Sequence, residues 1–121
     1  IVPRDLWRKA GAAGFVCTEV AAEYGGAGGD FLFGAIMVEE MARAGATGPT
    51  FYLHSEIISS YLVHYGTEAQ KQRWLPAMAR GEVITALGMS EPSGGSDLAA
   101  LKTIAIRDGD DYVVNGQKVF I

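Results

Sequence analysis

The sequence predicts an α+β protein in two parts. The first is an all-α helical bundle over residues 1–82. The second is the first strands of an antiparallel β-barrel-like domain over residues 83–121. Three observations carry this reading. Apolar residues recur at helical spacing up to about residue 80, and after Gly81 the period falls to two. The pair Asn115-Gly116 then follows a β-branched run, which is a strong short-range hairpin signal.

The elements follow in order. Pro3 suits a first helical turn, with Leu6, Trp7, Ala10 and Ala13 at helical spacing before Gly14. A loop, Tyr24-Gly25-Gly26-Ala27-Gly28-Gly29, leads to Asp30, a good cap for a helix from Phe31 to about Ala44. That helix is apolar nearly all round, through Phe31, Leu32, Phe33, Ile36, Met37 and Val38, and is expected to be buried. Pro49 restarts a helix through Phe51, Ile57, Tyr61 and Tyr65, stopped by Gly66. Thr67 and Gln70 form a capping-box pair for a fourth helix to about Ala79. Four helices with short connections predict a small bundle. Strands are predicted at Val83–Leu87, Thr103–Arg107, Tyr112–Val114 and Gln117–Ile121. Turns are predicted at Asp108–Asp111 and Asn115-Gly116. So few strands cannot hide both faces of a sheet, so the second domain is expected to be incomplete.

Composition narrows the classes. Of 121 residues 49% are apolar and 20% charged, which excludes intrinsic disorder as the main state. The net charge of −4 disfavours a general nucleic-acid binder. One cysteine, Cys17, permits neither an intramolecular disulfide nor a cysteine-based zinc site, and a reducing compartment fits. His54 and His64 lack a carboxylate at ligand spacing, so no metal site is assigned and both read as packing or surface groups. No apolar run reaches the roughly 20 residues of a membrane helix. The chain opens Ile1-Val2-Pro3 and closes within an apolar strand pattern, so we read it as a piece of a longer protein.

Two glycine clusters are candidates for chemistry. Gly25-Gly26-Ala27-Gly28-Gly29 has no preceding strand, and Phe31 breaks the G-x-G-x-x-G spacing, so it reads as an interhelix loop. Leu87-Gly88-Met89-Ser90-Glu91-Pro92-Ser93-Gly94-Gly95-Ser96-Asp97 is different. It follows a strand pattern and precedes a short helical candidate. Small residues let main-chain N–H groups approach an anion, and a helix start adds a favourable dipole. Glu91 and Asp97 count against an anion unless their side chains cap backbone groups. No Lys or Arg occurs from Gly81 to Leu101. Glu39 precedes Arg43 by four residues and reads as a structural ion pair. Trp7 and Trp74 read as core anchors, and Cys17 as a small buried residue.

The stretch Gly88 to Ala100 resembles the flavin-site signature of acyl-CoA dehydrogenases. The continuation through Asp108-Gly109-Asp110 and Tyr112 to Ile121 is similar too. So are Glu23-Tyr24-Gly25-Gly26, Glu39-Glu40-Met41-Ala42 and Tyr65-Gly66-Thr67-Glu68-Ala69-Gln70-Lys71. Within the family, Gly48 to Ser55 is most similar to the long-chain branch.

The resemblance implies an N-terminal helical domain, a middle β-domain and a C-terminal helical bundle, with FAD between the last two. It implies oxidation of the Cα–Cβ bond of an acyl-CoA thioester to a trans-2-enoyl-CoA, in fatty-acid or related acyl-CoA catabolism. Electrons would pass to an electron-transferring flavoprotein. Leu87, Met89 and Ser90 would pack and hydrogen-bond the isoalloxazine ring, and Gly95 and Ser96 would approach the FAD pyrophosphate. Ser96 would also border the CoA thioester. Phe120, where many relatives carry Trp, and Ile121 would complete the flavin contacts. The family's catalytic base lies C-terminal to this region, so no catalytic residue is assigned here.

The resemblance further implies a homotetramer or homodimer, and the lack of a long apolar run implies no membrane span. The Ala, Gly and Arg content points to a bacterial cytoplasm, the mitochondrial matrix being the alternative. Two other readings remain open at this point: a flavin acyl-CoA oxidase, and a non-catalytic helical module that binds an acyl group or a partner. Ile36, Met37 and the Phe51–Tyr61 segment are a candidate acyl pocket, with Gly45 and Gly48 leaving room for a longer tail.

Overall fold

The structure is a computed structural model that describes residues 2–121. It divides into two compact units, one extending to Ala86 and the other running Leu87–Ile121.

The first unit holds α1 (Arg4–Ala12), α2 (Phe31–Arg43), a π-helical turn at Leu53–Ile58 that runs on into α3 (Ser59–Tyr65), and α4 (Glu68–Ala79). Both predicted caps form. The Asp30 side chain accepts from Leu32 N at 3.0 Å. The Thr67–Gln70 box is reciprocal: Thr67 N donates to Gln70 Oε1 at 2.8 Å and Gln70 N to Thr67 Oγ1 at 3.3 Å. The core comprises Trp7, Val16, Cys17, Val20, Leu75 and Met78, with Phe51 edge-on to Trp7 at 4.7 Å. Glycine φ of +85° at Gly25 and +65° at Gly28 folds the interhelix loop back on itself.

Two expectations about this unit fail. The α2 helix is not buried: only Gly34 is, while Phe31, Leu32, Phe33, Ile36 and Val38 are exposed. Its apolar pattern needs cover on several sides, and the other helices of this unit supply one, where Met37 and Met41 pack against the core. Trp74 is likewise 37% exposed, beneath the Arg73 guanidinium at 4.7 Å. Leu75 and Met78, the neighbours one and four places on, fill the core instead. Trp7 is the core anchor predicted.

The second unit is built on one antiparallel hairpin, β1 (Ile104–Asp108) and β2 (Asp111–Asn115), with Ile104 opposite Asn115 and Asp108 opposite Asp111. Its turn is the expected one, with Gly109 at φ +60°. The other strand predictions fail. Val83–Leu87 forms no ladder, and the Thr85 N–H is taken by a histidine ring. The Asn115-Gly116 hairpin does not form either, and residues 116–121 form no strand. Gly116 lies so close to Thr103 that a Cβ would sit 2.2 Å from Thr103 Oγ1. The glycine is there for close approach, not for a tight turn.

Candidate functional site

The small-residue bend in the second unit is closed by hydrogen bonds of its own. Glu91 N and Gly94 O, and Gly94 N and Glu91 O, exchange hydrogen bonds at 3.0 Å, closing a tight turn through Pro92 and Ser93. The Glu91 side chain is 2% exposed. Its carboxylate accepts from Lys102 N at 2.6 Å, Thr103 N at 2.9 Å and Lys118 Nζ at 2.9 Å. Hydrogen bonds from Thr103, the Lys102 amide and the Lys118 ammonium together hold this carboxyl down to about 2. Asp97 caps the short turn Leu98–Ala100, accepting from Ala99 N at 3.2 Å. Both acidic side chains thus accept from backbone amides, Glu91 from the Lys118 ammonium as well.

The residues singled out in the sequence gather unevenly around this turn. Ser90 is half-buried; its carbonyl accepts from Val119 N at 3.0 Å, and its Oγ lies 3.9 Å from where a Cβ on Gly95 would stand. Ile121 Cδ1 is 3.6 Å from the Cβ position of Gly88. Leu87 and Met89 are half-buried, while Gly95 and Ser96 are exposed. Phe120 is 99% exposed and sits at φ +56°, a left-handed conformation that costs a non-glycine residue about 1–2 kcal/mol. A nearby groove of about 270 Å³, lined by Pro92, Ser93, Lys102, Thr103, Gly116 and Gln117 along with Glu91, includes none of these residues. Sequence reasoning missed Lys118, 27 residues from Glu91. The available signal was Glu91 itself: a carboxylate among small residues needs donors from elsewhere if it is buried.

The first unit carries a second titratable cluster. Thr18 Oγ1 donates to Glu56 Oε1 at 3.0 Å, and Glu56 Oε2 is buried without a partner. Burial, with the Glu19 carboxyl beside it, pushes Glu56 up to about 7. Cys17 is fully buried, and burial followed by the Glu56 charge pushes its thiol up to about 12, which makes it inert. Glu39 and Glu40 pair with Arg43 at 2.7 and 2.9 Å on the surface, as the spacing predicted for Glu39. Two apolar grooves flank α2. One of about 450 Å³ is lined by Phe31, Gly34, Ala35, Val38 and Tyr52, with Glu19, Glu39 and Glu56. The other, of about 490 Å³, includes Phe15, Phe33, Ile36 and Met37. Gly48 belongs to neither lining; a Cβ there would meet only Val2 Cγ2 at 3.6 Å.

Glu56 sets a pH prediction. Its native pKa is above the unfolded 4.5, so the native state holds the proton more tightly. Stability contributed by this proton is present below pH 4.5 and lost as pH rises through about 7. Glu56→Gln in the full-length protein is expected to match wild type at pH 4. At pH 8 it should be more stable, by on the order of 1 kcal/mol once solvent screening is discounted. Urea unfolding at the two pH values checks this, and equal stabilities at pH 8 would refute it.

Comparison with known proteins agrees with the two-unit architecture. Residues 1–82 match the family model of the acyl-CoA dehydrogenase N-terminal domain, and residues 86–121 that of the middle domain. The chain is 46% identical over 120 residues to the mitochondrial long-chain specific acyl-CoA dehydrogenase of Rattus norvegicus; the match covers 99% of this chain and 28% of the rat protein. An acyl-CoA dehydrogenase structure from Geobacillus kaustophilus superposes with a TM-score of 0.90 at 47% identity, covering 98% of this chain and 31% of that one. A glutaryl-CoA dehydrogenase from Mycobacterium smegmatis, solved in complex with FADH2, gives a TM-score of 0.84 at 31% identity, over 97% of this chain and 30% of that one. The chain thus spans less than a third of the length of these relatives. No helix among the described residues is long and apolar enough to cross a membrane. With matched domains spanning both units in order, the chain belongs to the acyl-CoA dehydrogenase family.

Proposed function

We propose that the protein carrying this chain is an FAD-dependent acyl-CoA dehydrogenase that converts an acyl-CoA thioester to a trans-2-enoyl-CoA. The observation that carries the reading is the bend at Leu87–Asp97. Its Glu91 carboxylate is withdrawn into main-chain donors, and its hydroxyls and small residues stay accessible. That donor set fits a nucleotide held by backbone amides and hydroxyls rather than by cations. When bound, FAD supplies the hydride acceptor.

This chain's residues then have defined tasks. With FAD bound, the Ser90 hydroxyl would serve as a donor to the flavin, and such a donor would favour the reduced state. Leu87 and Met89 would pack on the ring, and Phe120 and Ile121 would offer it apolar surface. The bare backbone of Gly95, with the Ser96 hydroxyl, would hold the pyrophosphate, and Ser96 would border the thioester. On the family resemblance, the α-proton would go to a carboxylate outside this chain. Glu39 and Glu40 are held by Arg43 at the surface, and Glu91 is too acidic and too enclosed to serve.

The acceptor we propose is an electron-transferring flavoprotein, and the assembly a homotetramer or homodimer. The relatives include both mitochondrial and bacterial proteins. We place this one in a bacterial cytoplasm on its Ala, Gly and Arg content, the mitochondrial matrix being the alternative.

The purified full-length protein is expected to carry the visible absorption of a bound flavin and to lose it when an acyl-CoA is added without air. A preparation that binds FAD but is not bleached by acyl-CoAs of any length would refute the activity.

A further inference from the structure

We infer that Glu91 and Lys118 form a clamp that positions the flavin-contacting segment, a role beyond the contact residues named above and resting on the flavin reading. The Lys118 ammonium reaches Glu91 Oε1 at 2.9 Å and Met89 O at 3.1 Å. One residue on, Val119 N donates to Ser90 O at 3.0 Å. Two residues further, Ile121 lies against Gly88. Residues 118–121 are thereby laid along residues 88–91, although no ladder of strand hydrogen bonds joins them.

The clamp has the properties of a fixed support. Glu91 is anchored from its other side by the amides of Lys102 and Thr103, so the acceptor that Lys118 grips is itself immobile. A buried ionised carboxylate with three charge-assisted or main-chain donors has little freedom to move. Between the Lys118 and Ile121 contacts, the chain passes through the left-handed conformation of Phe120, which turns that ring fully outward. A strained residue persists where its surroundings over-determine it. Here the surroundings are the Lys118 grip and the Val119 hydrogen bond. The same grip fixes Met89 and Ser90 on the opposite side. Lys118 touches neither flavin nor substrate in this reading; it is a positioning residue.

The test uses the full-length protein, stripped of flavin and titrated with FAD. Lys118→Met removes the ammonium and keeps the aliphatic stem. Its FAD affinity is expected to fall by about tenfold to a hundredfold, the loss expected of hydrogen bonds that involve a charged group. The visible circular dichroism of its bound flavin should change, because the ring environment shifts. Lys118→Arg, which can reach the same acceptors, should recover most of both. Lys118→Gln, keeping a donor without the charge, should fall between, and it stands in if Lys118→Met does not fold. Apoprotein Tm is measured throughout. Wild-type affinity and an unchanged flavin spectrum in Lys118→Met and Lys118→Gln would overturn the clamp, whatever their Tm. Wild-type protein that takes up no FAD would instead overturn the function proposed above.

Discussion

Gly81→Ala is expected to destabilise the helical unit of the full-length protein by about 2–5 kcal/mol. Gly81 ends α4 with φ +66°, a conformation that costs an L-residue about 1–2 kcal/mol. The steric clash costs more. A Cβ there would stand 2.1 Å from Trp7 O and 2.5 Å from Trp7 C, in the middle of α1. That neighbour is backbone and cannot rotate aside. Moving it means moving Trp7, whose ring is packed edge-on against Phe51 at 4.7 Å and the His54 ring at 5.3 Å. Gly14→Ala provides the control. Gly14 also has positive φ, +76°, but nothing lies within 4 Å of its Cβ position, so alanine there meets only the backbone strain. The difference between the two variants in urea unfolding isolates the α1–α4 approach. If Gly81→Ala costs no more than Gly14→Ala, that approach is not as close as described.

Gly81 also shows where sequence reading stops. Its place at a change of period was legible, and so were features written in neighbouring residues: the Asp30 cap, the Thr67–Gln70 box and the Gly109 turn. Each depends on groups within about four residues, which the sequence displays directly. What the sequence could not display is which partner a segment meets. Val83–Leu87 has strand composition, yet its Thr85 N–H is captured by His54 and no ladder follows. Asn115-Gly116 has the composition of a hairpin turn, yet Thr103 occupies the space beside Gly116. The α2 pattern predicts cover on all sides, while this unit covers only one. In the bend, the run of small residues was legible, and so was the condition that Glu91 and Asp97 cap backbone groups. That Lys118 also grips Glu91 was not, because the pair is joined only by tertiary folding.

His54→Leu is the second large effect, expected to cost about 2–4 kcal/mol. The His54 ring is 1% exposed and fully bonded. A main-chain N–H can only donate, so the 3.2 Å bond from Thr85 N makes Nδ1 the acceptor, with the Thr85 hydroxyl 2.7 Å away. The ring hydrogen is therefore on Nε2, which donates to Met78 O at 3.3 Å. Leucine fills a similar volume but accepts nothing, leaving the Thr85 N–H without its partner. The Met78 carbonyl suffers less, since Gly81 N already donates to it at 2.9 Å. His54→Gln, which offers an acceptor and donors, should lose less than leucine. The pH profile separates this bonding from plain packing. Burial lowers the native pKa below the unfolded value of 6.5, so the unfolded chain takes the proton first. Wild-type stability from this group is complete above pH 6.5 and declines as pH falls below it. Glu56 acts with the opposite sign over part of the same range, so the wild-type curve alone is ambiguous. The difference between wild type and His54→Leu cancels the Glu56 contribution. That difference should be largest at about pH 7–8 and shrink toward about pH 5. A difference that is flat with pH would mean that His54 is held by packing and not as a neutral acceptor.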